Sequence, residues 1–105
     1  MIDMRPDHLE IVKDILKRHA PDTEVRAFGS RVSRTAKAWS DLDLVIVGDG
    51  RLDFKILARI KGDLEESDLP FRVDVLDWHR VSESFRKLIE EKYAVIQQPV
   101  PSRHA

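Results

Sequence analysis

Ser40-Asp41-Leu42-Asp43-Leu44-Val45-Ile46-Val47 decides how this chain reads. From Leu42 to Val47 it is a β-strand in which Leu42, Leu44 and Ile46 share one face and alternate with Asp43, Val45 and Val47. Asp41 and Asp43 therefore point the same way, with Cα atoms roughly 6.5 to 7 Å apart, while Leu42 and Leu44 enter a core. Two carboxylates on one face at a strand start repel each other, and a divalent cation removes that cost. Mg2+ favours a few carboxylates completed by phosphate oxygens and water, which is what such a pair offers. Taken alone, an Asp-x-Asp pair is also what a solvated strand face carries, so its meaning depends on the surrounding chain.

Downstream, Gly48-Asp49-Gly50 is a turn. Phe54, Leu57, Ile60 and Leu64 form a helical stripe that predicts an amphipathic helix over 53–66, closed by Asp68-Leu69-Pro70. Residues 71–76 read as a third strand, with Phe71, Val73 and Val75 inward and Arg72, Asp74 and Leu76 on the other face. Asp74 thus presents a third carboxylate in an apolar setting. If its strand lies beside that of Asp43, the three acids make a cluster suited to two-metal phosphoryl or nucleotidyl transfer. Ser82 is a predicted N-cap for a last helix to about Lys92, and 94–96 a short edge strand.

Upstream, Pro6 suits the first turn of a helix carried by Leu9, Val12 and Leu16 to His19, and Pro21 stops it. Glu24–Phe28 is a strand with Val25 and Ala27 on one face, and Gly29-Ser30 turns the chain into a short polar helical stretch over 31–36. The link from Phe28 to Leu42 is too short for a comfortable crossover between parallel strands. The expected fold is therefore α+β in two layers: a small mixed β-sheet with helices packed on one face. One domain, 1–96, is expected, with an irregular tail over 97–105 that contains Pro99 and Pro101.

Composition agrees with one domain: 105 residues support a single modest core. Charged residues make up 35% of the chain, against roughly 25% in an average soluble domain. Eighteen Lys and Arg nearly balance nineteen Asp and Glu, for a net charge of −1, so direct nucleic-acid binding is not expected. The absence of Cys excludes disulfides and thiolate metal sites. No apolar run is long enough to span a bilayer or serve as a signal peptide, so no membrane partner is expected and a cytoplasmic location follows. His8, His19, His79 and His104 are scattered without metal-ligand spacing.

Gly29 and Ser30 end the strand before the acidic pair. A glycine there lets the backbone approach a phosphate closely, and a serine opening a short helix offers a hydroxyl and N–H groups to an anion. A plain turn with an N-cap is the other reading. Arg31, Arg34 and Lys37 either help neutralise a triphosphate or form a solvated helix face. Trp39 stacks on a base, or packs or faces a partner; Trp78 and His79 are expected at the sheet edge.

Gly29-Ser30, ten residues, then Asp41-x-Asp43 resembles the G-S-x10-D-x-D pattern of the polymerase-β-like nucleotidyltransferase superfamily. The stretch Phe28-Gly29-Ser30-Arg31 with Trp39-Ser40-Asp41-Leu42-Asp43-Leu44 looks especially like the minimal nucleotidyltransferase (MNT) proteins. Asp74, in Arg72-Val73-Asp74-Val75, falls where that family has its third carboxylate. The likeness spans residues 9–92. It implies that Asp41 and Asp43 hold two Mg2+ ions (Mn2+ being an alternative) against ATP. Asp74 completes the catalytic metal site and prepares the acceptor hydroxyl, and Gly29, Ser30 and Arg31 contact the triphosphate. Two departures affect the phosphate loop: Arg34 stands where many relatives have a second glycine, and Ala38 where they often have proline.

MNT proteins are typically antitoxins of HEPN–MNT modules. The leading expectation is therefore an adenylyltransferase that moves AMP from ATP to a tyrosine hydroxyl of a HEPN ribonuclease toxin and silences it. Two alternatives stand beside it. One is an antitoxin that inhibits by binding alone; the other is a small-molecule nucleotidyltransferase that works with a separate helical subunit.

Overall fold

The computed structural model describes residues 2–33, 35–37 and 39–100. The chain opens with α1 (Pro6–His19), which has Pro6 in its first turn, Lys17, Arg18 and His19 in its last, and Val12, Ile15 and Leu16 buried. Strand β1 (Glu24–Phe28) follows, then a single helical turn, α2 (Ser30–Ser33), shorter than the helical stretch expected over 31–36. Strand β2 (Leu42–Val47) leads through α3 (Phe54–Glu66) to β3 (Val73–Asp77). A 3-10 turn (Trp78–Arg80), α4 (Glu83–Glu91) and β4 (Ala94–Gln97) complete the fold. The predicted cap is present, with the Ser82 side chain accepting from Phe85 N, and Asp53, read as the first residue of its helix, is instead the cap of α3, accepting from Lys55 N.

The four strands form one mixed sheet in the order β3-β2-β1-β4. Antiparallel pairs join β1 to β2 and β1 to β4, whereas β2 and β3 run parallel. The parallel pair is the one with a whole helix, α3, in its connection, as a crossover requires. On one face, α1 and α3 bury Val12, Leu16, Ile60 and Leu64 against Val25, Ala27, Leu42, Leu44 and Ile46, forming the expected helical layer. No helix among the described residues is long and apolar enough to cross a membrane.

The other face is covered over part of its length. Val45 shares that face with Asp43 and is fully buried, as is Ile89 of α4, yet neither belongs to the core under α1 and α3. Phe85 of α4 meets Phe28 edge to face, with centroids 5.8 Å apart, and Arg86 Nε donates to Trp78 O at 2.9 Å. Arg26, from the same face, lies 4.4 Å from the Tyr93 ring and 5.1 Å from the Trp78 ring. The 3-10 turn and α4 thus cover the sheet around Val45 and leave the end bearing Asp43 and Asp74 open.

Beyond β4, Val100 N donates to Pro21 O, and the Gln97 side-chain amide donates to Ala20 O and Thr23 O at 2.9 Å each. The strand therefore takes in Gln97, the first residue of the expected tail, and the chain is tied down as far as Val100. Residues 101–105 lie outside the described residues.

Asp77, at the far end of β3, is only 3% exposed. Its carboxylate accepts from Leu52 N at 2.7 Å, His79 N at 3.0 Å and Arg80 Nη1 at 2.6 Å, tying the entry to α3 to the turn after β3. Replacing it with alanine removes a part-buried ion pair with Arg80 and leaves two main-chain donors without their acceptor. Asp77→Ala is expected to lower unfolding free energy by about 2–4 kcal/mol, read by urea denaturation. A loss below about 0.5 kcal/mol would mean that the network is not holding the turn.

Candidate active site

The parallel register of β2 and β3 pairs Asp43 directly with Asp74, and the antiparallel register of β1 and β2 pairs Asp43 with Phe28. One row across the sheet therefore reads Phe28, Asp43, Asp74, with all three side chains on the open face. Asp41 precedes β2 by one residue, and Leu42 N donates to Arg72 O at 2.9 Å, which holds the β2 and β3 starts together. The acids stay partly solvated: the side chains of Asp41 and Asp74 are 41% and 47% exposed. A cavity of about 630 Å³ opens beside the row, lined by Phe28, Asp43, Asp74, Phe85, Arg72 and Lys61, among others.

Burial first, then the neighbouring Asp74 and Asp41 carboxylates, hold the Asp43 carboxyl above its ordinary pKa, while Arg72 pulls it down. The three acids thus lie within reach of one another's charge, and an all-oxygen, all-anionic donor set of this kind fits Mg2+ or Mn2+. Among the described residues, no three acidic or histidine side chains already close around a single ion. The Arg72 guanidinium lies 3.4 Å from Asp41 Oδ2 and 3.6 Å from Asp74 Oδ1, between the two carboxylates.

Gly29 has a φ of +81°, the left-handed region that glycine enters without steric cost. Its carbonyl accepts from Val32 N and Ser33 N, so this one residue both ends β1 and starts α2. A side chain at Gly29 would run into the Asp43 carboxylate. Gly29 thus stands directly against the acidic row. Arg31 does not. It is 6% exposed, its Nε and Nη2 donate to Ser40 O at 3.1 and 2.9 Å, and Nη1 donates to Asp3 O at 3.0 Å. Its guanidinium also lies 4.1 Å from the Phe71 ring. In this structure the Arg31 guanidinium is turned under the loop, toward main-chain carbonyls of a connection without regular structure that need a buried donor. Arg34 and Ala38, the two departures in the phosphate loop, lie outside the described residues.

Trp39 is 72% exposed, with Lys37 Nζ 5.7 Å from its ring. Trp78 and His79 occupy the turn after β3, where His79 Nε2 lies 2.7 Å from Gly48 O. His8 packs against Phe71 and His19 pairs with Asp63, so His8, His19 and His79 stand apart from one another. Sequence reading placed Arg72 on the face of Asp74 without assigning it a part in the site, and it missed Lys61 and Phe85, which line the same cavity. Lys61 and Phe85 lie on helices, and only the tertiary fold brings them to the site.

A family model described as a nucleotidyltransferase domain matches residues 9–98. A probable protein adenylyltransferase, MntA, of Haemophilus influenzae is 50% identical over 97 residues, which cover 92% of this chain and 85% of that protein. Among solved structures, a chain of a toxin–antitoxin complex crystallised with AMP-PNP superposes with a TM-score of 0.73 at 20% identity, covering 86% of this chain and 73% of that one. A chain from a complex of a tri-AMPylated HEPN toxin of Shewanella oneidensis with its MNT antitoxin superposes with a TM-score of 0.70 at 19% identity, covering 90% and 73%. At such identities these likenesses speak for the fold.

Proposed function

Since the chain belongs to the nucleotidyltransferase domain family, we propose that it is an antitoxin that works as a protein adenylyltransferase, moving AMP from ATP to a tyrosine hydroxyl of a HEPN ribonuclease partner. A protein acceptor and a HEPN partner are supported by the relative of 50% identity, itself named a probable protein adenylyltransferase, and by the toxin–antitoxin setting of the structural neighbours; the tyrosine is what the family resemblance implies. The chemistry follows from the paired register of Asp43 and Asp74, the observation that carries the reading.

Asp41, Asp43 and Asp74 are the residues that would hold Mg2+, which supplies neutralisation of the triphosphate charge. Gly29 and Ser30 bring main-chain and hydroxyl groups to the phosphates, at a point where no side chain crowds Asp43. Asp74, on the open edge of the row, takes the proton of the acceptor hydroxyl. The acceptor oxygen then bonds to the α-phosphorus, the bond to the β-phosphate oxygen breaks, and pyrophosphate leaves. Most of the rate comes from positioning and from charge already in place. Arg72 must leave the acids as the site loads, and its exposed side chain allows this.

The test combines the purified chain, Mg2+, ATP labelled at the α-phosphate and the HEPN partner. Label is expected on the partner, with the rate in Asp74→Asn reduced about 10³-fold, in the range for loss of a positioned proton acceptor. If neither form transfers label and both still bind and inhibit the partner, the catalytic reading is wrong and inhibition is by contact.

A further inference from the structure

We infer that Arg31 is a positioning residue for Asp41: its guanidinium, gripping Ser40 O, fixes the main chain that carries the first acid of the site. The inference rests on the metal-assisted adenylyl transfer proposed above and gives Arg31 a part in it that runs through Asp41.

Asp41 is the one acid of the three that lies outside the pairing of the sheet. The β2–β3 register begins at Leu42 and the β1–β2 register reaches back only to Asp43, so Asp43 and Asp74 sit within ladders and Asp41 precedes them. Its place depends on the two peptide planes that meet at its Cα, each of them rigid. The plane running on to Leu42 is held by the bond from Leu42 N to Arg72 O. The plane running back to Ser40 carries Ser40 O, which accepts from both Nε and Nη2 of Arg31. Ser40 also closes on Lys37, with Ser40 N donating to Lys37 O at 3.0 Å and Lys37 N to Ser40 Oγ at 2.8 Å. Those two bonds are internal to the turn, whereas Arg31 ties the turn to α2.

The grip needs a guanidinium. Its remaining nitrogen, Nη1, donates to Asp3 O at 3.0 Å, and its plane lies against the Phe71 ring, 4.1 Å away. An ammonium carries the same charge but has neither the fork nor the plane, so lysine cannot hold Ser40 O in the same orientation. Arg31 also follows Gly29 by two residues, and Gly29 abuts the Asp43 carboxylate. One short segment thus meets two acids by different means. Gly29 leaves room for Asp43, and Arg31 sets the distance from the same turn to Asp41. A metal ion shared by the two carboxylates needs that distance to hold.

The experiment is a double-mutant cycle read as affinity for Mn2+, measured by electron paramagnetic resonance with α,β-methylene-ATP present and no protein acceptor, so that no transfer occurs. The cycle compares wild type, Arg31→Lys, Asp41→Asn and the double variant. Asp41→Asn retains Asp43 and Asp74 to hold the ion. Arg31→Gln repeats the cycle, and thermal unfolding identifies a variant that has lost its fold. With Asp41 present, Arg31→Lys is expected to weaken Mn2+ binding by about 10- to 100-fold, the usual cost of losing the group that orients a metal ligand. In the Asp41→Asn background the same change should shift the affinity by less than about twofold. Equal falls in both backgrounds would overturn the inference by placing the guanidinium on the triphosphate or on the loop as a whole. No fall with Asp41 present would also overturn it, by reducing Arg31 to a part of the fold. Wild type that binds no Mn2+ with the nucleotide is a separate failure, that of the nucleotidyl-transfer reading itself.

Discussion

Gly29→Ala is expected to reduce adenylyl transfer by about 100-fold or more while the protein stays folded. Two costs meet at this position. The backbone has a φ of +81°, where an L-residue loses about 1–2 kcal/mol. An added Cβ would also overlap Asp43 Oδ2 and lie 3.3 Å from Asp43 Cγ. The overlapped atom ends a rotatable side chain, so the structure relieves the clash by turning the carboxylate aside rather than by moving the sheet. Stability therefore falls by only the backbone cost, whereas activity loses the placement of an acid. A displacement of about 1 Å costs on the order of 10²-fold in rate. Single-turnover label transfer and urea denaturation, measured on one preparation, test both halves. A variant within about threefold of wild-type rate would show that Gly29 does not set the position of Asp43.

The second large effect has opposite signs for activity and stability. Asp43→Asn should lower transfer by at least about 10³-fold, since it removes the central acid of the row. Without divalent metal, the same variant should be more stable than wild type at neutral pH. Burial and the Asp74 and Asp41 charges raise the Asp43 pKa above its ordinary 3.8. The folded state thus holds the proton to higher pH than the unfolded chain does. The resulting penalty is absent well below pH 3.8, grows as pH rises through the folded pKa, and is complete above it. Asparagine carries no such penalty, so its advantage should appear at pH 7 and vanish near pH 3. Thermal melts in EDTA across that range check the claim. Wild type proving the more stable at pH 7 would contradict it.

Much of the framework was legible because local rules and the tertiary fold agree. Period-two alternation placed β2, helical stripes placed α1 and α3, and Pro6, Ser82 and Pro21 marked ends that the structure keeps. The length of the link between β1 and β2 foretold their antiparallel pairing. The acids were readable because a strand displays every second residue on one face, so Asp74 needed only the right neighbour. Arg31, a basic residue beside a Gly-Ser turn, looks like a phosphate ligand, and nothing local says that Ser40 O and Asp3 O hold its guanidinium in this structure. The place of α4 was hidden for a similar reason. Its apolar residues Phe85 and Ile89 specify a buried side but not which face of the sheet supplies the other half.

Strand β3 carries two aspartates three residues apart, and the pleat sends them to opposite sides of the sheet. On the antitoxin function proposed above, a genetic screen that scores only survival in the presence of the toxin would count Asp74 and Asp77 as equally indispensable. The cell would lose protection by different routes: loss of Asp74 would leave a normal amount of inert protein, and loss of Asp77 too little protein, with the acidic row intact in each surviving molecule. Raising expression should rescue the second defect and never the first.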